Sequence, residues 1–377
     1  RCVIKKAIIT GGGAGGHIYP ALAVARALQE KGWDILYLGS KGGLERTIIT
    51  GEGLPYEEVQ VAPLPRKLSP KLFTAIAKTM LGYFQARRII KDFRPDVVLG
   101  TGGFVAGPVV LAATNLKIPS IIHEQNVYPG FTNKILAKKV DIIALNFAAA
   151  RDYFPEKIRG NFSVTGNPVR KAILDTDRKT GLEKLGLTAG RKTILVFGGS
   201  QGAMSINRAM LAVYKYFAGN DKVQIIQITG QKNYQQVLQE IEEAGIILTK
   251  NRHYKILPYL KEMEYAYAVA DLIVYRAGAT GIAEITAKGI PAILIPYPHA
   301  AENHQEYNAR NLEKQGAAVV ILDRDLSGKL LIEKIEELLG DEERLREMAR
   351  QSKKLGKPDA TDRLVNLIEG LVNERRQ

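Results

Sequence analysis

Short apolar runs alternate along this chain with longer stretches in which apolar positions recur every three or four residues. The runs suit strands buried on both faces of a parallel sheet, and the longer stretches suit helices covering such a sheet. Strands are expected near 5–10, 34–38, 96–99, 119–123, 142–144 and 162–164, then near 193–197, 223–228, 253–256, 272–274, 291–295 and 318–321. Six strands in each half predict a duplicated α/β architecture. Periodicity breaks at Gly166-Asn167-Pro168-Val169-Arg170, which predicts domains at 1–165 and 166–357. The region 330–350 reads as one helix, Gly356-Lys357-Pro358-Asp359 interrupts it, and 360–372 reads as the last.

Each half opens on the same device. Ala7-Ile8-Ile9-Thr10 runs into Gly11-Gly12-Gly13-Ala14-Gly15-Gly16-His17, and Thr193-Ile194-Leu195-Val196-Phe197 runs into Gly198-Gly199-Ser200-Gln201-Gly202. Helical spacing follows in both cases. A strand, a glycine turn and a helix N-terminus together make an anion site, because unpaired N–H groups converge there. The expectation is two Rossmann-like parallel-sheet domains with an interdomain cleft that takes a phosphorylated ligand. Gly11-x-Gly13-x-x-Gly16 also matches the dinucleotide fingerprint. That reading wants an acidic residue at the end of the second strand, where Gly39-Ser40-Lys41 stands instead.

Composition narrows the class. The 377 residues are 46% hydrophobic and 24% charged, as in folded globular proteins. A single cysteine, Cys2, leaves no internal disulfide framework and no cysteine zinc cluster. The apolar runs are of strand length, and Lys5 and Lys6 precede only Ala7-Ile8-Ile9 before the glycines, too few for a signal sequence. A cytoplasmic protein is expected. The net charge of +14 is uneven: residues 1–165 hold 22 Lys and Arg against 12 Asp and Glu. Between Leu64 and Arg94 stand Arg66, Lys67, Lys71, Lys78, Arg87, Arg88, Lys91 and Arg94 against Asp92 alone. Leu68, Leu72, Phe73, Ile76, Met80, Tyr83 and Phe84 interleave with them at helical spacing. Such a stretch is either a core face or a contact with an anionic surface. No nucleic-acid motif accompanies the charge, so nucleic acid is not an expected partner.

Further polar groups stand at strand ends, where open α/β sheets bind ligands. Gly102-Gly103-Phe104 begins a third glycine turn, read either as tight packing or as a backbone surface for a large ligand. His123-Glu124-Gln125-Asn126 follows an apolar strand and suits hydrogen bonding to substrate hydroxyls. Arg276-Ala277-Gly278-Ala279-Thr280-Gly281 ends a strand and starts a helix, so its N–H groups and the Thr280 hydroxyl suit a phosphate. Glu284, one turn further, suits a ribose diol or simply the helix dipole. A loop rich in Pro, His and amides, 296–308, follows the next strand and includes Gln305. Asp175-Thr176-Asp177 and Asp323-Arg324-Asp325 resemble metal-binding pairs but fit turn and cap roles. No metal site or resident cofactor is expected, beyond a non-essential divalent cation.

Taken in order, these motifs resemble the MurG family of bacterial glycosyltransferases nearly end to end. The resemblance rests on Gly11–His17, Gly102–Pro108, His123–Asn126, Gly166–Arg170, Gly198–Gly202, Arg276–Ala279 with Glu284, and His304-Gln305. It implies a GT-B fold whose final helix, about 358–377, returns to the first domain. It implies transfer of N-acetylglucosamine from UDP-N-acetylglucosamine to lipid-linked muramyl-pentapeptide, at the cytoplasmic face of the plasma membrane. Another UDP-sugar enzyme of the same fold, such as a 2-epimerase, is the alternative.

Residue by residue, the resemblance puts Ser200 and Thr280 on the diphosphate, Gly281 among the donor contacts, Glu284 on the ribose and backbone near Leu260 on uracil. Asn126, Ala279 and Gln305 would meet the sugar, Arg170 would lie near the donor, and Ala14, Gly15 and Gly16 would cover the diphosphate. The family usually carries threonine where Ala14 stands. Gly102, Gly103, Phe104 and His123 fall to the acceptor. His17 is the expected general base, with Glu124 as the alternative; an imidazole with an ordinary pKa of ~6.5 suits proton transfer near neutrality.

Overall fold

A computed structural model describes residues 4–63, 70–199, 201–250 and 252–376. The chain divides into two compact units, one formed by Arg1–Pro168 with Pro358–Gln377 and the other by Val169–Lys357.

In the first unit the strands are β1 (Lys6–Thr10), β2 (Asp34–Ser40), β3 (Tyr56–Val59), β4 (Val97–Gly100), β5 (Ser120–Glu124), β6 (Ile142–Leu145) and β7 (Asn161–Val164). Between them run α1 (Gly15–Glu30), α2 (Leu44–Gly51), α3 (Pro70–Phe93), α4 (Ala106–Asn115) and α5 (Phe131–Leu136). Among the described residues the strands form one parallel sheet in the order β3-β2-β1-β4-β5-β6-β7. The apolar runs follow from burial on both faces. Ala7 and Ile9 of β1 point into a cluster with Ile18, Val24 and Leu28 of α1. Ile8, between them, points the other way, into a cluster with Ala86 and Ile90 of α3 and Val109 and Val110 of α4.

The second unit contains α6 (Lys171–Asp175), α7 (Arg178–Leu185), β8 (Lys192–Phe197), α8 (Met204–Tyr216), β9 (Val223–Ile228), α9 (Tyr234–Glu243), β10 (Tyr254–Leu257) and α10 (Met263–Val269). It continues with β11 (Leu272–Tyr275), α11 (Ala279–Lys288), β12 (Ala292–Leu294), α12 (His304–Lys314), β13 (Ala318–Val320), α13 (Gly328–Gly340) and α14 (Glu342–Leu355). Its sheet, again parallel, has the order β10-β9-β8-β11-β12-β13. In each sheet the strand before the first glycine loop is central, and strand order reverses beside it. That reversal is where α/β sheets place ligands.

Two expectations need correcting. The first sheet gains β3, a short edge strand reading Tyr-Glu-Glu-Val, whose two carboxylates hide the apolar signal. The region read as one helix is two, α13 and α14, because Asp341 leaves helical geometry (φ −114°, ψ 88°) and its carboxylate accepts the Arg344 N–H as a cap. The last helix, α15 (Ala360–Arg376), belongs to the first unit. Leu364, Val365, Ile368, Leu371 and Val372 sit in the same cluster as Ala7 and Ile9. Lys31 pairs with Glu369 at 2.8 Å.

Candidate active site

In the first unit the loop between β1 and α1 locks onto the loop after β4. Gly12 N–H donates to the Gly102 carbonyl at 3.3 Å. Gly103 has φ +81°, and a Cβ there would lie 2.0 Å from the Gly12 carbonyl oxygen, so the two chains meet backbone to backbone. The Phe104 ring lies against Gly13. Gly102 and Gly103 therefore act first as packing, and their φ values fit glycine. Ala14 is the N-cap of α1 and supplies no side-chain bond to it. The N–H groups of Gly15 and Gly16 open the helix ahead of its first internal bonds, while those of His17 and Ile18 already donate to the Ala14 carbonyl at 3.0 and 3.3 Å.

Glu45 of α2 closes the loop from below. Its carboxylate is fully buried and accepts from Ser40 N–H at 2.7 Å, the Ser40 hydroxyl at 2.5 Å and Gly13 N–H at 3.4 Å. An acidic group thus does lie at the end of β2, but it arrives from α2 and its oxygens already hold the loop. Tyr37 adds a hydroxyl bond to the Gly11 carbonyl at 2.6 Å.

His17 is half-buried in the first turn of α1. Its Nδ1 lies 3.1 Å from both the Thr101 carbonyl and Gln125 Oε1. The Thr101 hydroxyl donates to the His17 carbonyl at 2.6 Å. Gln125 Nε2 donates to the Thr101 carbonyl at 2.7 Å and lies 2.9 Å from His123 Nδ1. His123 is fully buried, and its Nε2 lies 2.8 Å from the Gly166 carbonyl. Burial pushes its pKa down to about 4, so the ring is neutral at physiological pH. Both ring nitrogens of His123 are thus engaged inside the domain, and the ring supports the loops around His17.

Glu124, the second candidate base, is also buried. Its Oε1 accepts from Asn126 N–H at 2.9 Å and Asn126 Nδ2 at 3.3 Å, and its Oε2 from Gly130 N–H at 3.0 Å and Asn133 Nδ2 at 2.8 Å. A carboxylate so engaged organises the loop after β5, and Asn126 is held half-buried by it.

In the second unit, Ser200 lies outside the described residues, as do Arg66, Lys67 and Leu68 of the basic stretch. The groups around α11 are described. Gly278 is its N-cap, with no side-chain cap bond, and Ala279, Thr280 and Gly281 form its first turn. The Thr280 hydroxyl oxygen is buried without a hydrogen-bond partner. Gly281 is required by packing: a Cβ would lie 2.5 Å from the Tyr275 ring. Glu284 is 5% exposed, and its Oε1 receives Arg170 Nε at 3.1 Å and Nη2 at 3.0 Å. Burial raises the Glu284 pKa, while Arg170 and the Tyr267 hydroxyl oppose the shift. Burial works against the Arg170 charge too, but Glu284 beside it carries the guanidinium pKa above its ordinary value. Gln305 Oε1 accepts from Ala277 N–H at 3.2 Å and Tyr297 N–H at 3.0 Å, tying the turn before α11 to the loop after β12. Leu260 lies half-buried between β10 and α10. The structure therefore brings Arg170 and Glu284 into direct contact, Thr280 onto the same helix, and Gln305 onto the turn that starts it.

Among the described residues, no group of three or more His, Cys, Asp or Glu is placed to hold a metal. Asp177 caps α7, accepting from Thr180 N–H at 2.8 Å. Asp323 does not cap a helix. It accepts from Arg276 at 2.6 Å and Ser205 at 2.7 Å, so Arg276, which also donates to the Ile295 and Pro296 carbonyls, ties the loops after β11, β12 and β13 to the start of α8.

Models of the glycosyltransferase family 28 N-terminal and C-terminal domains match residues 7–145 and 193–364. The chain is 59% identical to the UDP-N-acetylglucosamine–N-acetylmuramyl-(pentapeptide) pyrophosphoryl-undecaprenol N-acetylglucosamine transferase of Halothermothrix orenii, over 97% of this chain and 98% of that protein. The crystal structure of Acinetobacter baumannii MurG superimposes with a TM-score of 0.76 at 30% identity, covering 97% of this chain and 99% of that one. The chain belongs to the MurG family. Its paired parallel-sheet domains are those of a GT-B glycosyltransferase. A putative UDP-N-acetylglucosamine 2-epimerase from Listeria monocytogenes also superimposes, with a TM-score of 0.69 over 99% of this chain and 98% of that one; at 15% identity it shares the fold alone.

Sequence reasoning missed Glu45 and Thr101 in the first unit of this MurG-family chain and Tyr267 in the second, all of which act through contacts between elements far apart in the chain. Gln125 was visible, inside the polar run at the end of β5.

Proposed function

We propose that this MurG-family chain is an inverting glycosyltransferase that moves N-acetylglucosamine from UDP-N-acetylglucosamine to the 4-hydroxyl of lipid-linked muramyl-pentapeptide. The observation that carries the donor half is the start of α11: an uncapped helix N-terminus whose Thr280 hydroxyl is buried without a partner. A buried hydroxyl left unpaired costs about 1–3 kcal/mol, and a diphosphate oxygen would satisfy it while meeting the helix dipole. The N–H groups of this turn, with Ser200 in the matching loop, meet the charge that grows on UDP as it leaves. Glu284 takes the ribose hydroxyls, held in place by Arg170. Asn126, Ala279 and Gln305 meet the sugar, and backbone at Leu260 meets uracil.

The acceptor half rests on the first unit. His17 removes the proton of the acceptor hydroxyl, whose oxygen then displaces UDP from the anomeric carbon. Direct displacement turns an α-linked donor into a β-linked product. The backbone of Gly102, Gly103 and Phe104 lies beside His17 and forms the acceptor surface, and Ala14, Gly15 and Gly16 offer first-turn N–H groups to the diphosphate. The lipid tail of the acceptor keeps the reaction at a membrane. Among the described residues no helix is long and apolar enough to cross one. The contact is therefore peripheral, on the cytoplasmic face, and α3 makes it.

Titration calorimetry with UDP-N-acetylglucosamine, UDP-glucose and NADH tests the donor reading. The expected result is preference for UDP-N-acetylglucosamine, no NADH binding, and at least tenfold weaker UDP binding in Glu284→Ala, about 1.4 kcal/mol. Unaltered UDP affinity in that variant overturns the ribose role. Epimerised donor without a disaccharide product, when acceptor is supplied, overturns the transferase reading.

A further inference from the structure

The bonds around His17 form a chain whose direction is fixed at every link. Carbonyl oxygens only accept. The Gly166 carbonyl, 2.8 Å from His123 Nε2, therefore places the His123 proton on Nε2. His123 Nδ1 is then an acceptor, and it faces Gln125 Nε2 at 2.9 Å. The Thr101 carbonyl, 2.7 Å from that same Gln125 nitrogen, independently requires an N–H there. The amide is thus oriented, and its Oε1 faces His17 Nδ1 at 3.1 Å. That nitrogen meets two acceptors, Oε1 and the Thr101 carbonyl.

We infer that Gln125 is a positioning residue for the reaction: with His123 bonded behind it, it holds the His17 proton on Nδ1 and so keeps the lone pair on Nε2, the nitrogen that takes no hydrogen bond among the described residues. The inference rests on the reading of His17 as the base and deepens it. The acceptor O–H proton passes to Nε2 as the oxygen bonds to the anomeric carbon. The C–O bond to UDP breaks, and its electron pair leaves with the diphosphate. The imidazolium so formed keeps Nδ1–H on Gln125 Oε1 and the Thr101 carbonyl, so both acceptors stabilise the charge that appears on His17. A carboxylate in this position would do so more strongly but would hold charge throughout the cycle; an amide supplies orientation with a neutral acceptor.

The neighbouring titratable groups do not compete for this role. From β5, His123 is neutral and Glu124 is bonded to Asn126, Gly130 and Asn133. From α2, Glu45 is bonded to Ser40 and Gly13. The loop after β4 presents only the Thr101 carbonyl and glycine backbone to the ring.

Two measurements test the assignment. Long-range proton–nitrogen correlation spectra of the ¹⁵N-histidine-labelled full chain, with His17→Gln supplying the assignment, read the tautomer without any activity assay. The expected pattern at pH 8 is a protonated Nδ1 and a bare Nε2 on His17. A protonated Nε2 with a bare Nδ1 overturns the inference. The second measurement is the pH profile of kcat with UDP-N-acetylglucosamine and a lipid-linked acceptor. Gln125→Leu should lower kcat about tenfold, leave the KM for donor within about twofold, and move the acid limb to lower pH, because the imidazolium loses an acceptor. Gln125→Glu should move that limb to higher pH, because a carboxylate favours the imidazolium. A limb unmoved in both variants overturns the inference, since a merely structural role would not shift it in opposite directions. If Gln125→Leu fails to fold, the spectrum of the unaltered chain and the Gln125→Glu profile still decide. Should His17→Ala retain full turnover, the base reading falls while the tautomer spectrum still judges the bond chain.

Discussion

Ala14 and His17 are three residues apart and do opposite things for the same helix. An N-cap side-chain oxygen ordinarily accepts a first-turn N–H, and replacing one by alanine costs about 0.5–2 kcal/mol. Ala14 forgoes that bond, so the N–H groups of Gly15 and Gly16 receive no side-chain cap. His17, on the same turn, has its Nδ1 held by Thr101 and Gln125. A base contributes typically ~10²–10⁴-fold. His17→Ala is therefore expected to slow steady-state turnover by about that factor, with UDP affinity by calorimetry and the melting temperature nearly unchanged. Turnover within about threefold of the unaltered chain would reject the role. The sequence made His17 legible, because a histidine just past a glycine loop is conspicuous. It placed Glu124 second but could not show that Asn126, Gly130 and Asn133 fold back onto that carboxylate, because no local pattern announces such a turn. Glu45 was hidden for the same reason: it reaches Gly13 from 32 residues away.

At the scale of elements, the alternation of apolar runs and helical spacing located twelve of the strands because most are buried on both faces; the edge strands β7, β10 and β13 are only partly buried but keep apolar residues. β3 escaped because an edge strand has one ladder partner and tolerates charge, as Glu57 and Glu58 show. The split between α13 and α14 escaped because apolar spacing persists across Asp341 while the backbone does not. The glycine turns were visible as motifs, yet their mutual contact was not. The Gly103–Gly12 approach makes the loops after β1 and β4 one mechanical unit, which gives a test. In Gly103→Ala, φ of +81° and a Cβ 2.0 Å from a carbonyl oxygen should destabilise the first unit by roughly 1–3 kcal/mol and displace the loop bearing His17, lowering turnover as well. Gly32→Ala is the control. It has almost the same φ, +82°, but open space around it, so it should show the smaller stability loss and full turnover. Equal melting temperatures for the two variants would mean that the loops are not locked.

Across the whole molecule, charge and apolar surface are distributed unevenly, and α3 is where they coincide. Most helices of a globular domain bury their large apolar residues; α3 does the reverse. Its buried positions are Ala75, Gly82, Ala86 and Ile90, mostly small, and a Cβ at Gly82 would lie 2.2 Å from the Gln60 carbonyl oxygen, so the helix sits close against the chain beneath. Phe73, Met80 and Phe84 are 71%, 58% and 59% exposed, and Ile76 and Leu81 are also exposed. The sequence left this face open between core and surface contact; their exposure excludes the core reading for Phe73, Ile76, Met80 and Phe84. Lys71, Lys78 and Arg88 are exposed on the same helix. An apolar strip of this kind rimmed by cations fits the headgroup region of an anionic bilayer, where each cation adds about 1 kcal/mol and the rings enter the acyl boundary. The two terms separate experimentally. Sedimentation with vesicles containing anionic lipid should capture the chain, and vesicles of neutral lipid alone should capture far less. Raising salt should weaken the first interaction, since the Debye length shortens. Phe73→Ser with Phe84→Ser should reduce capture by anionic vesicles while leaving turnover on a short-chain, water-soluble acceptor intact, because neither ring is among the groups that hold His17. Equal capture by neutral and anionic vesicles would remove the charge term, and capture unchanged in the double variant would remove α3 from the contact.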